Sequence, residues 1–151
     1  MKTLLAFLLI VALATTTAFA EIRVGGSRSS NRGNLGAIRT NPYDPDSLAN
    51  PYGAGSPYRS NGLLNPYSKY GSLYSNQSWR NPYATQAPEL YEHGQFRGRL
   101  STNRYDYNST SNPYGPYGSR FSPDSIHNPY GAGSPYRSTP IYVYPGRRGT
   151  Q

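Results

Sequence analysis

The sequence has no cysteine and few aliphatic side chains. The absence of Cys from all 151 residues excludes a disulfide framework and any thiolate metal site. From Glu21 onward, Leu, Ile, Val and Phe number 15 in 131 residues, well below the ~20% under which charged chains usually fail to form a core. Ordering one residue costs roughly 1.5 kcal/mol, and burying one aliphatic side chain returns only about 1.5–3 kcal/mol. We therefore expect a mostly irregular, turn-rich chain, low in regular secondary structure, that does not form a well-packed globule.

Long apolar runs are also missing, except for one at the start. The first 20 residues, MKTLLAFLLIVALATTTAFA, place Lys2 before an apolar run from Leu4 to Ala14 and end in small residues. This layout predicts a signal peptide with an N-terminal signal helix (residues 1–20), cleaved near Ala20, because the apolar run is shorter than the roughly 20 residues that cross a bilayer. We expect an exported protein of the periplasm, cell surface or extracellular medium, with no transmembrane segment in the mature chain.

Residue patterns typical of catalysis are scarce. His93 and His127 are the two histidines, and neither has metal-ligand spacing to another donor, so we expect both to be solvated. Asp44 and Asp46 lie two residues apart, but a calcium loop needs Glu at its twelfth position, where Gly55 stands, so capping of a turn is the better interpretation. A catalytic carboxylate also needs a desolvating pocket. The sequence predicts no enzyme, no cofactor, and no catalytic, cofactor-binding or metal-ligating residues.

Tyrosine, proline, glycine and arginine are what the chain has in abundance. Tyr, Pro and Gly supply 46 of the 131 residues after the signal, and 13 of the 14 basic residues there are Arg, against seven acidic ones. Arginine binds carboxylate and phosphate groups and stacks on aromatic rings. A basic exported chain of this composition is expected to meet anionic polymers.

A degenerate repeat occupies most of the mature sequence. The triplet Asn-Pro-Tyr begins at positions 41, 50, 65, 81, 112 and 128, with spacings of 9, 15, 16, 31 and 16 residues. The phrase PDSLANPYGAGSPYRS at 45–60 recurs as PDSIHNPYGAGSPYRS at 123–138, and NPYDPDSLANPYG at 41–53 aligns with NRYDYNSTSNPYG at 103–115. These matches indicate internal duplication. They do not indicate a globular solenoid, because each unit carries at most one aliphatic residue.

The repeated phrase predicts tight turns. In Asn-Pro-Tyr-Gly the Asn side chain bonds the backbone, Pro sets φ at the second position and Gly suits the fourth, as in a type I turn. Ser122, Pro123 and Asp124 resemble the start of a helix, so we also expect one helical turn at 123–127, and a weaker one at 45–49.

Two segments do not follow the turn-forming repeat pattern. Residues near 89–100 predict a short β-hairpin around His93 and Gly94, which would need neighbouring tyrosines to pack on it. Residues 141–144, IYVY, predict a short strand, which Pro140 and Pro145 should keep at a sheet edge. The expected organisation is a signal peptide (1–20), a flexible Gly/Ser/Arg leader (21–40), a repeat region (41–86), a hairpin insert (87–101), a second repeat region (102–139) and a C-terminal tail (140–151).

The segments PDSIHNPYGAGSPY, SNPYGPYGS and LYEHGQFRGRLSTNRYD resemble a group of short exported bacterial proteins with Asn-Pro-Tyr-Gly-Ala-Gly-Ser-Pro-Tyr repeats. The resemblance covers residue 41 to about residue 137. Glu92, His93 and Arg104 depart from the pattern of the group. The resemblance implies a bacterial, exported setting and implies no activity, fold or ligand.

The aromatic and basic residues of the repeats lead to two functional hypotheses. Four tyrosines occupy matching places in the two long repeats, and an arginine follows two of them: Tyr52, Tyr58, Tyr130, Tyr136, Arg59 and Arg137. They either pack locally on the turns or bind anionic envelope polymers or extracellular polyanions through many weak contacts, with self-association also open. No specific nucleic-acid fold is visible. We therefore predict a non-enzymatic secreted repeat protein of the cell envelope or matrix. The alternative is a small metal-ion or ligand-binding module built from the Asp-Ser and Asn-Pro-Tyr-Gly turns.

Overall fold

A computed structural model describes residues 33–147. The predicted signal peptide and residues 21–32 of the leader lie outside the described residues. Within the described range there is no α-helix, and nothing helical there is long and apolar enough to cross a membrane. One antiparallel sheet, in the order β1-β4-β2-β3, is formed by β1 (Gly36–Ile38), β2 (Glu89–Glu92), β3 (Gln95–Arg99) and β4 (Ile141–Tyr144). The predicted low content of regular secondary structure is thus confirmed.

The predicted hairpin is present as β2 and β3. His93 and Gly94 form its turn, both with positive φ (49° and 79°). Aromatic rings pack on it as expected: Phe96 contacts Tyr91 and Tyr117 edge-on, with ring centroids 5.8 and 5.4 Å apart. Edge-on contacts of this kind add about 0.5–1.5 kcal/mol each beyond burial.

Strand β4 has the predicted bounds but not the predicted position. It lies inside the sheet, between β1 and β2, so the expectation of an edge strand is wrong. Pro140 and Pro145 both stand outside the four paired residues, and every N–H of the strand remains available for pairing. The prolines therefore limit the length of β4 without deciding its neighbours.

Strand β1 was not predicted, because residues 36–38 belong to the stretch expected to be a flexible leader. Ala37 is fully buried, and the strand pairs with β4, more than 100 residues later in the chain. A three-residue strand is too short to show an alternating pattern. Its partner is too distant for any local sequence signal to reveal it.

Between the strands, the chain advances in hydrogen-bonded turns of three residues. The first residue of each step is usually Asn, Ser, Asp or Gly, and in most steps its carbonyl accepts a bond from the N–H three residues later. From residue 44 to 62 six such bonds follow one another, with N···O distances of 2.9–3.5 Å. We call residues 41–84 the first turn ribbon and residues 101–137 the second. The helical turns expected at 45–49 and 123–127 are absent, because only every third N–H closes a turn there.

Four-residue steps explain the 16-residue repeat spacing. In the first ribbon the N–H of Ser72 donates to the Ser68 carbonyl at 3.0 Å, and in the second the N–H of Ser119 donates to the Gly115 carbonyl at 3.1 Å. Each Asn-Pro-Tyr interval of 16 residues contains one of these longer steps, from 65 to 81 and from 112 to 128. Intervals of 9 and 15 residues are simple multiples of three.

The interior is partly polar, which is how so few aliphatic residues suffice. The hydrophobic core consists of Leu35, Leu63, Tyr70, Leu90, Ala132, Ile141 and Val143. Beside it, small polar residues of the ribbons are buried: Ser47, Ser78, Ser109 and Ser125 at 0% exposure, and Asn50, Asn65 and Asn112 at 9%. Their side chains bond the main chain of their own ribbon, so burial leaves few unsatisfied polar groups. The expectation that the chain would not form a packed interior was based on the number of aliphatic residues alone. It did not take these buried polar residues into account.

The two ribbons cover the two edges of the sheet in the same way. A residue of each outer strand exchanges two main-chain bonds with the nearby ribbon: Ala37 with Asp46 and Leu48 (2.7 and 3.0 Å), and Arg99 with Asn108 and Thr110 (2.7 and 2.9 Å). These bonds occupy the outward-facing main-chain groups of one residue at each sheet edge. Along the chain, the first ribbon connects β1 to β2 and the second connects β3 to β4. Every strand pair of the sheet joins β1 or β2 to β3 or β4.

Candidate functional site

Eleven aromatic rings project from the ribbons into solvent. Each is the third residue of a turn triplet, and its N–H donates to the side-chain oxygen of the first residue at 2.9–3.4 Å. The main chain beneath each ring is held in place while the ring is 88–97% exposed. These residues are Tyr43, Tyr52, Tyr58, Tyr67, Tyr74, Tyr83, Tyr105, Tyr114, Phe121, Tyr130 and Tyr136. We call them the exposed rings.

The four tyrosines selected from the sequence all belong to the exposed rings. Tyr52, Tyr58, Tyr130 and Tyr136 are 91–97% exposed. Such exposure disagrees with the interpretation that they pack locally on the turns. Their turns instead depend on the Asn or Ser side chain and on the main chain.

The two arginines that follow Tyr58 and Tyr136 differ. Arg137 is exposed but already has an anionic partner, because its guanidinium lies 2.7 Å from the carboxylate of Glu92. Glu92 is only 2% exposed, and it also accepts bonds from Arg97 Nε at 3.0 Å and Thr139 Oγ1 at 2.7 Å. This cluster ties the hairpin to the second ribbon. Arg59 forms no ion pair within the described part of the chain.

The Asp-Ser turn at residue 44 is a cap, as predicted. The Asp44 carboxylate accepts a bond from the Asp46 N–H at 3.0 Å and forms an ion pair with Arg39. The bond from the Asp46 N–H lowers the pKa of Asp44, Arg39 lowers it further, and partial desolvation opposes both. Among residues 33–147 no three His, Cys, Asp or Glu side chains are grouped so that they could hold a metal ion.

Most carboxylates of the described range are used in ion pairs, and this leaves a surplus of cations. Pairs are formed by Asp44, Glu89, Glu92, Asp106 and Asp124. Five basic side chains have no ion pair in the same range: Arg59, Lys69, Arg80, Arg104 and Arg120. Two of these lie over aromatic rings, Lys69 on Tyr70 at 4.9 Å and Arg80 on Trp79 at 5.2 Å. The ribbons therefore carry aromatic rings and unpaired cations together.

Arg104 and Arg120 line one open groove of about 680 Å³ on the second ribbon. Phe121, Ser111 and His127 also line it. His127 is exposed, as expected from the sequence, and its Nε2 also lies 2.9 Å from the Thr110 carbonyl. A second groove, of about 450 Å³, is lined by two basic side chains, Arg39 and Arg137, and both of these are ion-paired.

Sequence reasoning missed this groove and the step of the ribbons. The step could have been found from the sequence, because Asn, Ser, Asp or Gly recurs at every third position over long stretches, for example at 41, 44, 47, 50, 53 and 56. Counting in threes aligns the exposed rings at the last position of each triplet. It also shows which residue type precedes each ring.

No protein-family model, curated protein or solved structure matches this chain. The resemblance to exported repeat proteins stays a prediction. The proposed function therefore rests on the exposed rings, the unpaired arginines and the groove.

Proposed function

We propose that this chain is a non-enzymatic, exported protein of the cell envelope or matrix that binds anionic polymers through its exposed rings and unpaired arginines. The observation that carries the proposal is the set of eleven rings, 88–97% exposed, on turns in which the N–H of the ring residue bonds the side chain of the first residue. A folded chain gains nothing in its own packing from rings so placed. They are available to stack on a partner.

Multivalency gives such a surface its strength. One aromatic stacking contact contributes about 1–3 kcal/mol. Several weak contacts on one chain raise the overall affinity greatly when the partner is itself a polymer with repeated units. The hydrogen-bonded turns reduce the ordering cost of binding, because the main chain under each ring is already fixed.

The charge balance supports an anionic partner. The mature chain carries 14 basic and seven acidic residues, and five of the acidic side chains in the described range are neutralised in ion pairs. Arg59, Arg80, Arg104 and Arg120 are free of such pairs there and lie on the ribbons, as the rings do. A positive surface attracts polyanions, and added salt weakens this attraction.

The test is retention of the mature chain on peptidoglycan, lipopolysaccharide and DNA at low and high salt. We expect retention on at least one polymer at low salt and weaker retention at high salt. The double variant Tyr130→Ala/Tyr136→Ala should lower the affinity by roughly 30-fold or more, since it removes two stacking contacts of about 1–3 kcal/mol each. Tyr130→Phe/Tyr136→Phe keeps both rings and is the matched control. Absence of retention on all three polymers at low salt would contradict the proposal.

A further inference from the structure

The residue that precedes each exposed ring is nearly always proline. Pro stands there in eight of the eleven triplets, Leu73 in one, and Arg in the remaining two, as Arg104 and Arg120. Proline suits this position because it sets φ for the second residue of a turn. Replacing it gives up this preorganisation of the turn. The two arginines therefore need a reason other than folding.

Internal comparison shows that proline fits the position of Arg104, and the Ser-Pro-Tyr triplets show that it fits a turn of the kind that holds Arg120, whose own repeat counterpart is Leu73. The segment 103–115 aligns with 41–53, so Arg104 corresponds to Pro42, and the turn bond is the same in both, from the third N–H to the first Asn at 2.9 and 3.0 Å. Arg120 stands in a Ser-Arg-Phe triplet where Pro57 stands in Ser-Pro-Tyr, and both triplets have a turn bond of 3.3 Å. Neither Arg104 nor Arg120 donates a hydrogen bond from its main-chain N–H within the described range.

These two exceptions meet in one place, the groove of about 680 Å³. No acidic residue lines it, and neither arginine forms an ion pair with any described residue. Phe121, 93% exposed, offers a ring face at the groove, and Ser111 and His127 offer polar groups. Two arginines without an ion pair at one groove are suited to an anion, since a guanidinium binds carboxylate and phosphate or sulfate oxygens.

We propose that this groove binds an acidic sugar unit of a polysaccharide, with its carboxylate or sulfate on Arg104 and Arg120 and its ring on Phe121. The volume is in the range of sites for small ligands, about 300–1,000 Å³. Nucleic-acid grooves instead carry successive stacking rings along a charged track, whereas Phe121 is the one exposed ring among the lining residues. The inference rests on the proposed function, since it names the ligand class for one site on the same surface.

The experiment uses the mature chain and titrates it with oligogalacturonate, which carries carboxylates, heparin, which carries sulfates, neutral dextran and single-stranded DNA. We expect one of the two acidic glycans to bind and dextran not to bind. The variant Arg104→Pro/Arg120→Pro should weaken glycan binding at least tenfold, while its unfolding temperature is equal to or above that of the parent chain. If this variant unfolds at lower temperature, Arg104→Gln/Arg120→Gln replaces it with the same expected loss.

Lys69→Pro is the matched control. Lys69 is the second residue of a triplet that corresponds to Gly115-Pro116-Tyr117 in the second ribbon, it is exposed, and it does not line the groove. This control also removes a cation and adds a proline, and it should bind the glycan as the parent chain does. If the double variant and the control bind the glycan equally well, the proposal that the groove binds an acidic sugar is wrong, and the proposed function still stands. Tighter binding of DNA than of both glycans has the same consequence. Failure of the parent chain to bind any polyanion overturns both proposals.

Discussion

Ser47 and Ser109, 62 residues apart, make the same set of hydrogen bonds. Each is fully buried, and each hydroxyl donates at 3.0 Å to the carbonyl of the residue eight positions earlier, Arg39 in one case and Ser101 in the other. Each also accepts from an N–H two residues later at 3.1 Å. The internal duplication is therefore visible as equivalent bonds at both edges of the sheet, where the ribbon turns away from the strand.

Ser47→Ala is expected to destabilise the fold by about 1–3 kcal/mol, because it removes both hydrogen bonds of a buried hydroxyl, each contributing about 0.5–1.5 kcal/mol. Urea unfolding followed by circular dichroism measures the change. Ser134→Ala is the control, since the Ser134 hydroxyl only accepts one long bond, 3.4 Å from the Tyr136 N–H, near the surface. The control should lose less than about 1 kcal/mol. Equal losses in the two variants would contradict the role given to the buried serine.

Asn50→Asp tests the side chain that joins two successive turns. Asn50 accepts from the Tyr52 N–H at 2.9 Å and donates from Nδ2 to the Asp44 carbonyl at 3.1 Å. Aspartate keeps the acceptor, loses the donor and places a negative charge against the carbonyl, so we expect a loss of about 1–3 kcal/mol. Asn41→Asp is the control, because the described contacts of Asn41 use only its oxygen. Chemical unfolding of both variants should show the loss in the first alone.

Gly36 and Gly98 occupy equivalent places at the two sheet edges and have positive φ, 142° and 100°. A Cβ would lie 2.6 Å from Leu48 Cδ2 at the first position and 2.7 Å from Tyr117 Cβ at the second. Alanine at either position should cost on the order of 1–3 kcal/mol. Gly33→Ala is the control, with nothing within 4 Å of its Cβ. Thermal unfolding should rank both variants below Gly33→Ala, and a control as unstable as the variants would contradict this.

Stability should fall in acid through Asp44. Its folded-state pKa is lowered, chiefly by the bond from the Asp46 N–H and then by Arg39. The stabilisation is therefore complete above the ordinary pKa of an aspartate and is lost as the pH falls through the lower, folded-state value. Asp44→Asn should unfold at lower urea concentration than the parent chain at neutral pH, and its stability should change less on acidification. Asp46→Asn is the control and should retain the acid sensitivity of the parent chain.

The hairpin and the bounds of β4 were predictable because each rests on neighbouring residues. A glycine turn between strand-forming residues predicts a hairpin, and two prolines bound a four-residue run at residues 141–144. The turns of the ribbons were also predicted, since Asn, Pro, Tyr and Gly each act within their own triplet. The three-residue step is visible in the sequence but was missed. The Asn-Pro-Tyr motif was followed, whereas the triplets that begin with Ser, Asp or Gly were not compared with it.

The position of β4, the strand at 36–38 and the groove were not predictable in the same way. Each depends on partners far apart in the chain: β1 pairs with β4, and Arg104 and Arg120 meet across a four-residue step. Arg137 is paired with Glu92, which lies 45 positions earlier, and nothing in the residues around either of them indicates this ion pair. Long-range ion pairs and grooves leave no local pattern in the sequence.

By itself the sequence determined the local turns, the hairpin and the cationic, aromatic character of the surface. These follow from steric limits on Pro and Gly and from side chains that bond their own backbone, and such effects act within a few residues. The order of the strands, the polar interior and the meeting of two arginines at one groove were decided only by tertiary structure. Those features exist because β1 and β2 pair with β3 and β4, which brings distant residues together. The stabilisation comes from main-chain hydrogen bonds and burial between segments, which no single segment provides alone.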